Sequence, residues 1–106
     1  MNKLTKTMTN EQIYRIAIGF YKNFNGDLIL PIKVNFYLTK NKNYFLELGQ
    51  QIEEFRDKIR GDYDKLKELS ELQQEVSFYQ VSLEDFGDIN LSMEQLETLE
   101  FMIKEE

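Results

Sequence analysis

The sequence predicts a mainly α-helical domain. One long central helix, about 31–60, packs with an N-terminal and a C-terminal helix, and a small β element lies near 76–91. Three observations carry this reading. Val34, Leu38, Phe45, Leu48, Ile52, Phe55 and Ile59 recur at steps of three, four or seven residues, a spacing that keeps them within a sector of about 100° on a helix. Two capping-box patterns, Thr9/Gln12 and Ser92/Gln95, each precede a helical apolar stripe. "EVSFYQVS", residues 75–82, is rich in β-branched and aromatic residues and suits a strand.

Taken in order, residues 1–8 are polar and expected to be frayed. A first helix, 10–24, follows the Thr9 cap and turns Ile13, Ile16, Ala17, Phe20 and Phe24 to one face, with Asn25-Gly26 as its stop. "DLIL", 27–30, is an extended connector, because the residue before a proline is driven from the α region. "LPIKVNFYLTKN", 30–41, alternates apolar and polar residues as a strand would, but the alternation ends at Leu38 while the helical stripe runs on. The helix is therefore the better reading, and Pro31 fits its first turn, where a missing N–H costs nothing.

That helix carries three irregularities. Ile32 and Phe36 point away from the apolar stripe, to be covered by other core elements or left as a contact surface. Asn41 stands at the centre of the stripe, where it should bond a buried backbone group. Gly49 costs roughly 1 kcal/mol of helix propensity relative to Ala, a sacrifice that fits the close approach of a crossing chain. Beyond Gly61-Asp62, residues 62–73 form a short charged helix edged by Leu66, Leu69 and Leu72. The strand at 76–81 is expected to pair with a short strand at 89–91 or with the 27–30 connector. The last helix, 93–104, turns Leu96, Leu99 and Ile103 inward.

A chain of 106 residues with 42% hydrophobic residues and 14 aromatics (eight Phe, six Tyr) supports one core and one domain, 1–106. With no cysteine, disulfides and thiolate metal sites are excluded. No apolar run reaches the roughly 18 residues of a membrane span, and no signal-peptide pattern opens the chain, so a cytoplasmic location is expected. The net charge of −6 is uneven. Residues 1–52 hold seven Lys/Arg against three Asp/Glu, or +4; residues 53–106 hold six against sixteen, or −10. The basic half has no dense cluster, which disfavours direct nucleic-acid binding.

The residue inventory also argues against catalysis. There is no His or Cys, so the usual general base near neutral pH and the usual thiolate nucleophile are both missing. The five glycines, at 19, 26, 49, 61 and 87, form no phosphate loop. "EDFGDIN" offers Glu84, Asp85, Asp88 and Asn90 as oxygen ligands. Their spacing does not match a twelve-residue calcium loop, and turns favour these residues on backbone grounds alone. No enzyme activity, metal or cofactor is expected.

Binding remains. Tyr14, Tyr21, Tyr37, Tyr44, Phe78 and Tyr79 fall at stripe edges or on the strand, positions that suit core boundaries and interfaces alike. At 1.5 Å per residue the central helix is about 45 Å long, too long for a compact globule of this size, so part of it should protrude or pack on another chain as a homo-oligomer. The start of this helix, Ile32, Lys33, Phe36 and Tyr37, is the expected partner-binding site.

Three stretches together carry a resemblance: "MTNEQIY", "LPIKVNFYLTKN" and "EVSFYQVSLEDFGDINLSMEQLETLEFMI". They resemble small uncharacterised phage and prophage proteins of Gram-positive bacteria, most specifically in the motif P-x-K-V-N-F at Pro31, Lys33, Val34, Asn35 and Phe36. The resemblance covers most of the chain apart from residues 61–72. It implies a setting, the cytoplasm of a bacterial host, and brings no activity and no catalytic residues. The expected function is that of a non-enzymatic accessory protein, an adaptor or assembly factor that binds a host or phage protein. The alternative is an acidic inhibitor of a nucleic-acid-binding host defence enzyme, in the manner of anti-CRISPR proteins. A carboxylate-metal hydrolase at Asp85/Asp88 ranks last.

Overall fold

A computed structural model of the chain describes residues 3–24, 26 and 29–104. Along the chain come β1 (Lys3–Thr9), α1 (Asn10–Asn23), α2 (Ile32–Lys58), α3 (Tyr63–Glu71), β2 (Gln73–Tyr79), β3 (Val81–Ser82), α4 (Met93–Leu99) and β4 (Ile103–Lys104). Single 3₁₀ turns occupy Leu83–Phe86 and Glu100–Met102. The helical class and the long central helix agree with the sequence reading. Residues 3–8, the partner of β2 and the last helix do not.

Thr9 caps α1 as its pattern predicts. The Gln12 N–H donates to Thr9 Oγ1 at 3.2 Å, and the Thr9 N–H donates to Gln12 Oε1 at 2.9 Å. Ile13, Ala17 and Phe20 of α1 are buried together with Phe24 just beyond it. The expected stop at Asn25 and the first half of the 27–30 connector, Asp27 and Leu28, lie outside the described residues. Pro31 precedes the first helical residue of α2, and its carbonyl accepts the Asn35 N–H at 2.9 Å.

Val34, Leu38, Asn41, Phe45, Gly49 and Ile52 are the buried residues of α2, at steps of three and four. Beyond Ile52 the helix leaves the core: residues 53–58 are all exposed, and Phe55, expected in the stripe, is 52% exposed. The helix thus protrudes, and the molecule measures 47 × 27 × 20 Å. Its radius of gyration of 14.9 Å exceeds the roughly 13 Å of a compact domain of this length.

Residues 3–8, read as part of a frayed tail, belong to β1 and pair antiparallel with β2, Lys3 opposite Tyr79 and Thr9 opposite Gln73. Among the described residues neither expected partner pairs with β2, and Ile89–Leu91 has no regular structure. The reason is a face that local pattern hides. Leu4 and Met8 lie on the core side of β1 with the charged Lys6 between them, so the alternation is broken where it would have been recognised.

The other edge of β2 is closed by side chains of α2. Asn41 Oδ1 accepts the Tyr79 N–H at 2.8 Å and Asn41 Nδ2 donates to the Tyr79 carbonyl at 2.8 Å. The Tyr44 hydroxyl accepts the Ser77 N–H at 3.3 Å. Asn41 therefore imitates one residue of a neighbouring strand, and the bond expected of it goes to the backbone of the half-buried Tyr79.

Ser92 and Gln95 cap α4 reciprocally, at 3.1 and 2.9 Å. The expected helix to residue 104 stops at Leu99, tightens into the 3₁₀ turn, and ends as β4, which pairs in parallel with β3. The tightening brings Phe101 into a cluster with Phe20, Phe45 and Phe78. Its ring lies 5.0 Å from Phe45 and from Phe78, edge-on, and 5.9 Å from Phe20. Such edge-to-face pairs add about 0.5–1.5 kcal/mol each beyond the area buried. Phe78, expected at a boundary, is therefore core. The gap at Gly49 admits α1: a Cβ there would meet Ala17 Cβ at 2.6 Å.

Candidate functional site

The four residues expected to bind a partner all lie in the first turns of α2, where the buried face is Val34 and Leu38. Ile32 and Phe36 are one turn apart on a different side of the helix, and no core element covers them. Ile32 is 87% exposed and Phe36 57% exposed. Ile29, just before the helix, is 91% exposed. Large apolar side chains so placed forgo roughly 1.5–3 kcal/mol each of burial, which makes this end of α2 the clearest apolar surface feature near the sequence motif.

Lys33 and Tyr37 tie the patch to the rest of the fold. Lys33 Nζ lies 3.4 Å from Asp85 Oδ2 in the 3₁₀ turn after β3. Asp85 also accepts the Ser82 N–H at 3.0 Å. That backbone hydrogen bond does most to hold its carboxyl below the usual carboxylate range, against partial desolvation and with help from the Ser82 side chain and Lys33. Of the carboxylates in "EDFGDIN", Asp85 is thus engaged inside the fold. Among the described residues no three acidic side chains converge as a metal site.

Tyr37 stacks on Tyr79 of β2, with ring centres 5.0 Å apart and planes within 19°. Phe36 meets Tyr37 at 5.6 Å, inclined by 62°. Lys40 Nζ stands 5.1 Å from the Phe36 ring centre and 5.8 Å from that of Tyr79, while Lys3 Nζ stands 5.5 Å from Tyr79. These are cation–π distances. The site is therefore a half-exposed aromatic row, Phe36–Tyr37–Tyr79, with apolar Ile32 beside it and ammonium groups around it. An apolar centre with a polar rim is the usual anatomy of a protein contact.

Tyr79, Lys40 and Lys3 were not among the residues expected here. Lys40 was legible, since it follows Phe36 by four and so shares its side of the helix. Tyr79 and Lys3 reach the site only through the β1–β2 pairing and the docking of β2 along α2, for which no local signal exists.

A separate cleft of about 340 Å³ lies between α1, α2 and α3, with Tyr14, Arg15, Ile52, Arg56 and Leu69 among its walls. Arg15 is paired with Glu11 at 2.8 Å and Arg56 lies over the Tyr14 ring at 5.2 Å, so both cations already have partners. None of the four expected binding residues lines this cleft. Among the described residues no helix is long and apolar enough to cross a membrane. Comparison of the chain with protein-family models, curated proteins and solved structures finds no match.

Proposed function

We propose that this chain is a non-enzymatic binding protein, an adaptor or assembly factor that docks a host or phage protein on the start of α2. The observation that carries the reading is the exposure of Ile32 and Phe36 on a helix whose opposite side is core. The aromatic row behind them supplies a rigid base, and Lys33 and Lys40 supply a polar rim. The absence of His and Cys from the sequence accords with a role without catalysis.

The test is retention of a tagged protein's partner from infected and uninfected bacterial lysate, washed at rising salt. Wild type should hold its partner at about 1 M salt, where exposed charges are screened beyond about 3 Å. The double variant Ile32→Asp, Phe36→Asp should keep a native circular dichroism spectrum and lose capture by at least about ten-fold, the loss expected when interface anchors are removed. Unchanged capture by the variant sinks the proposal. Release at modest salt together with competition by DNA would replace it with the acidic-inhibitor reading.

A further inference from the structure

We propose that the outer edge of β1 is a strand-addition site for an extended segment of another protein carrying a carboxylate opposite Lys6. The hydrogen-bond parity of the sheet carries this. Tyr79 and Ser77 turn their N–H groups away from β1, toward Asn41 and Tyr44. They stand opposite Lys3 and Thr5. In an antiparallel pair, residues opposite such outward-turned groups are outward-turned themselves, on the other side. The N–H and C=O groups of Lys3, Thr5 and Thr7 therefore point off the free side of β1. Among the described residues no strand pairs there, since the sheet is β1–β2 alone.

The two edges of this sheet are treated differently. The β2 edge is plugged by Asn41 and Tyr44, so the sheet can grow only at β1. Lys3, Leu4, Thr5, Lys6 and Thr7 are all exposed, contain no proline and run in unbroken register against β2. The edge is therefore open to a further strand, and Lys3 and Lys6 are the charges that guard it against indiscriminate pairing.

Charge selects the occupant. β1 carries Lys3 and Lys6 and no carboxylate. Two-fold pairing with a second copy, centred on Thr5 or Lys6, would set Lys6 diagonal to or directly opposite its own copy, an unfavourable like-charge contact. A carboxylate opposite Lys6 makes the contact favourable instead. Leu4 and Met8 flank Lys6 on the same face, and beneath Lys6 opens a groove of about 670 Å³ with Phe101 and Ile103 among its walls. Apolar residues two positions either side of the carboxylate would face that groove. Lys6 and Lys104 on the groove are matched by Glu97 and Glu100 there, which leaves no surplus positive charge for more than one acid. A single acid between apolar residues is therefore the best complement.

This site shares only Lys3 with the surface at the start of α2, and its test uses no lysate. A fluorescein-labelled peptide of about nine residues is made with Asp at its centre, Val two positions either side and Thr elsewhere; a second has Lys at the centre. Fluorescence polarisation should show saturable binding of the Asp peptide, with the Lys peptide roughly ten-fold weaker. Amide resonances of residues 3–7 should be the ones that shift. Thr5→Pro removes an outward N–H, which an edge strand tolerates, and should abolish binding. Thr5→Val, which loses only the hydroxyl bonded to Ser77, should bind as wild type. Lys6→Glu should reverse the preference between the two peptides. No saturable binding of the Asp peptide below about 1 mM, or full binding by Thr5→Pro, overturns the proposal. A concentration-dependent dimer that Thr5→Pro dissolves would overturn it in favour of self-pairing.

Discussion

Asn41 sits at the centre of the apolar side of α2 and is 1% exposed. Periodicity alone would place leucine there, and leucine would be the worse residue. Both backbone groups of Tyr79 that it serves would be left part-buried without partners, at about 1–3 kcal/mol each. Asn41→Leu should therefore lower stability by about 2–4 kcal/mol, measured by urea unfolding, despite its gain in hydrophobicity. Asp85 shows the same principle at the surface: a residue typical of turns is fixed here by the Ser82 amide and Lys33. Phe36 lies at the other extreme. Its neighbours Tyr37 and Lys40 are half-buried and exposed, so nothing encloses it and its removal should leave the fold intact.

Between elements, the α1–α2 contact depends on a glycine. Ala17 and Gly49 meet where the helices cross, and the Cβ that alanine would bring to position 49 stands 2.6 Å from Ala17 Cβ. Both carbons are fixed to backbone, so no rotamer change relieves the overlap and the helices must separate. Gly49→Ala should destabilise by about 1–3 kcal/mol, although alanine is the better helix former by about 1 kcal/mol. Adding Ala17→Gly should restore most of the loss, since the pair then exchanges positions across the same gap; thermal unfolding of the single and double variants checks this. Gly19 repeats the device toward α4, where an added Cβ would meet Thr98 Oγ1 at 2.7 Å. The sequence marked Gly49 as a crossing point because a glycine beside the apolar stripe of a long helix costs propensity. Gly19 was not singled out in the same way, and its approach to Thr98 comes only from the docking of α4.

On the scale of the whole molecule, residues 3–9 and 100–104 complete the fold. β1 covers β2 from one side, and the Phe101 turn closes the aromatic cluster from another. Removing residues 1–8 should therefore cost about 3 kcal/mol or more, from the buried Met8 side chain and the lost ladder. A small change in midpoint on denaturant unfolding would show that β1 contributes little. The far end of α2 is different. Its residues 53–58 are exposed, so polar substitution of Phe55 should leave the midpoint nearly unchanged.

Features that depend on neighbours within a few residues are legible in the amino-acid order. The caps at Thr9 and Ser92, the span of α1, the central helix with its buried stripe to Ile52, the position of Gly49 and the exclusion of thiol and imidazole chemistry are all of this kind. Helical periodicity and capping are local, and the elements they specify form the same way wherever they dock. The partner of β2, the order of residues 3–8, the early end of α4 and the union of Phe36, Tyr37, Tyr79, Lys40 and Lys3 in one surface come instead from packing between distant segments. Lys3 and Tyr79 are joined by a pairing that spans most of the chain. Such contacts depend on which elements bury one another, and no spacing along the sequence records that choice.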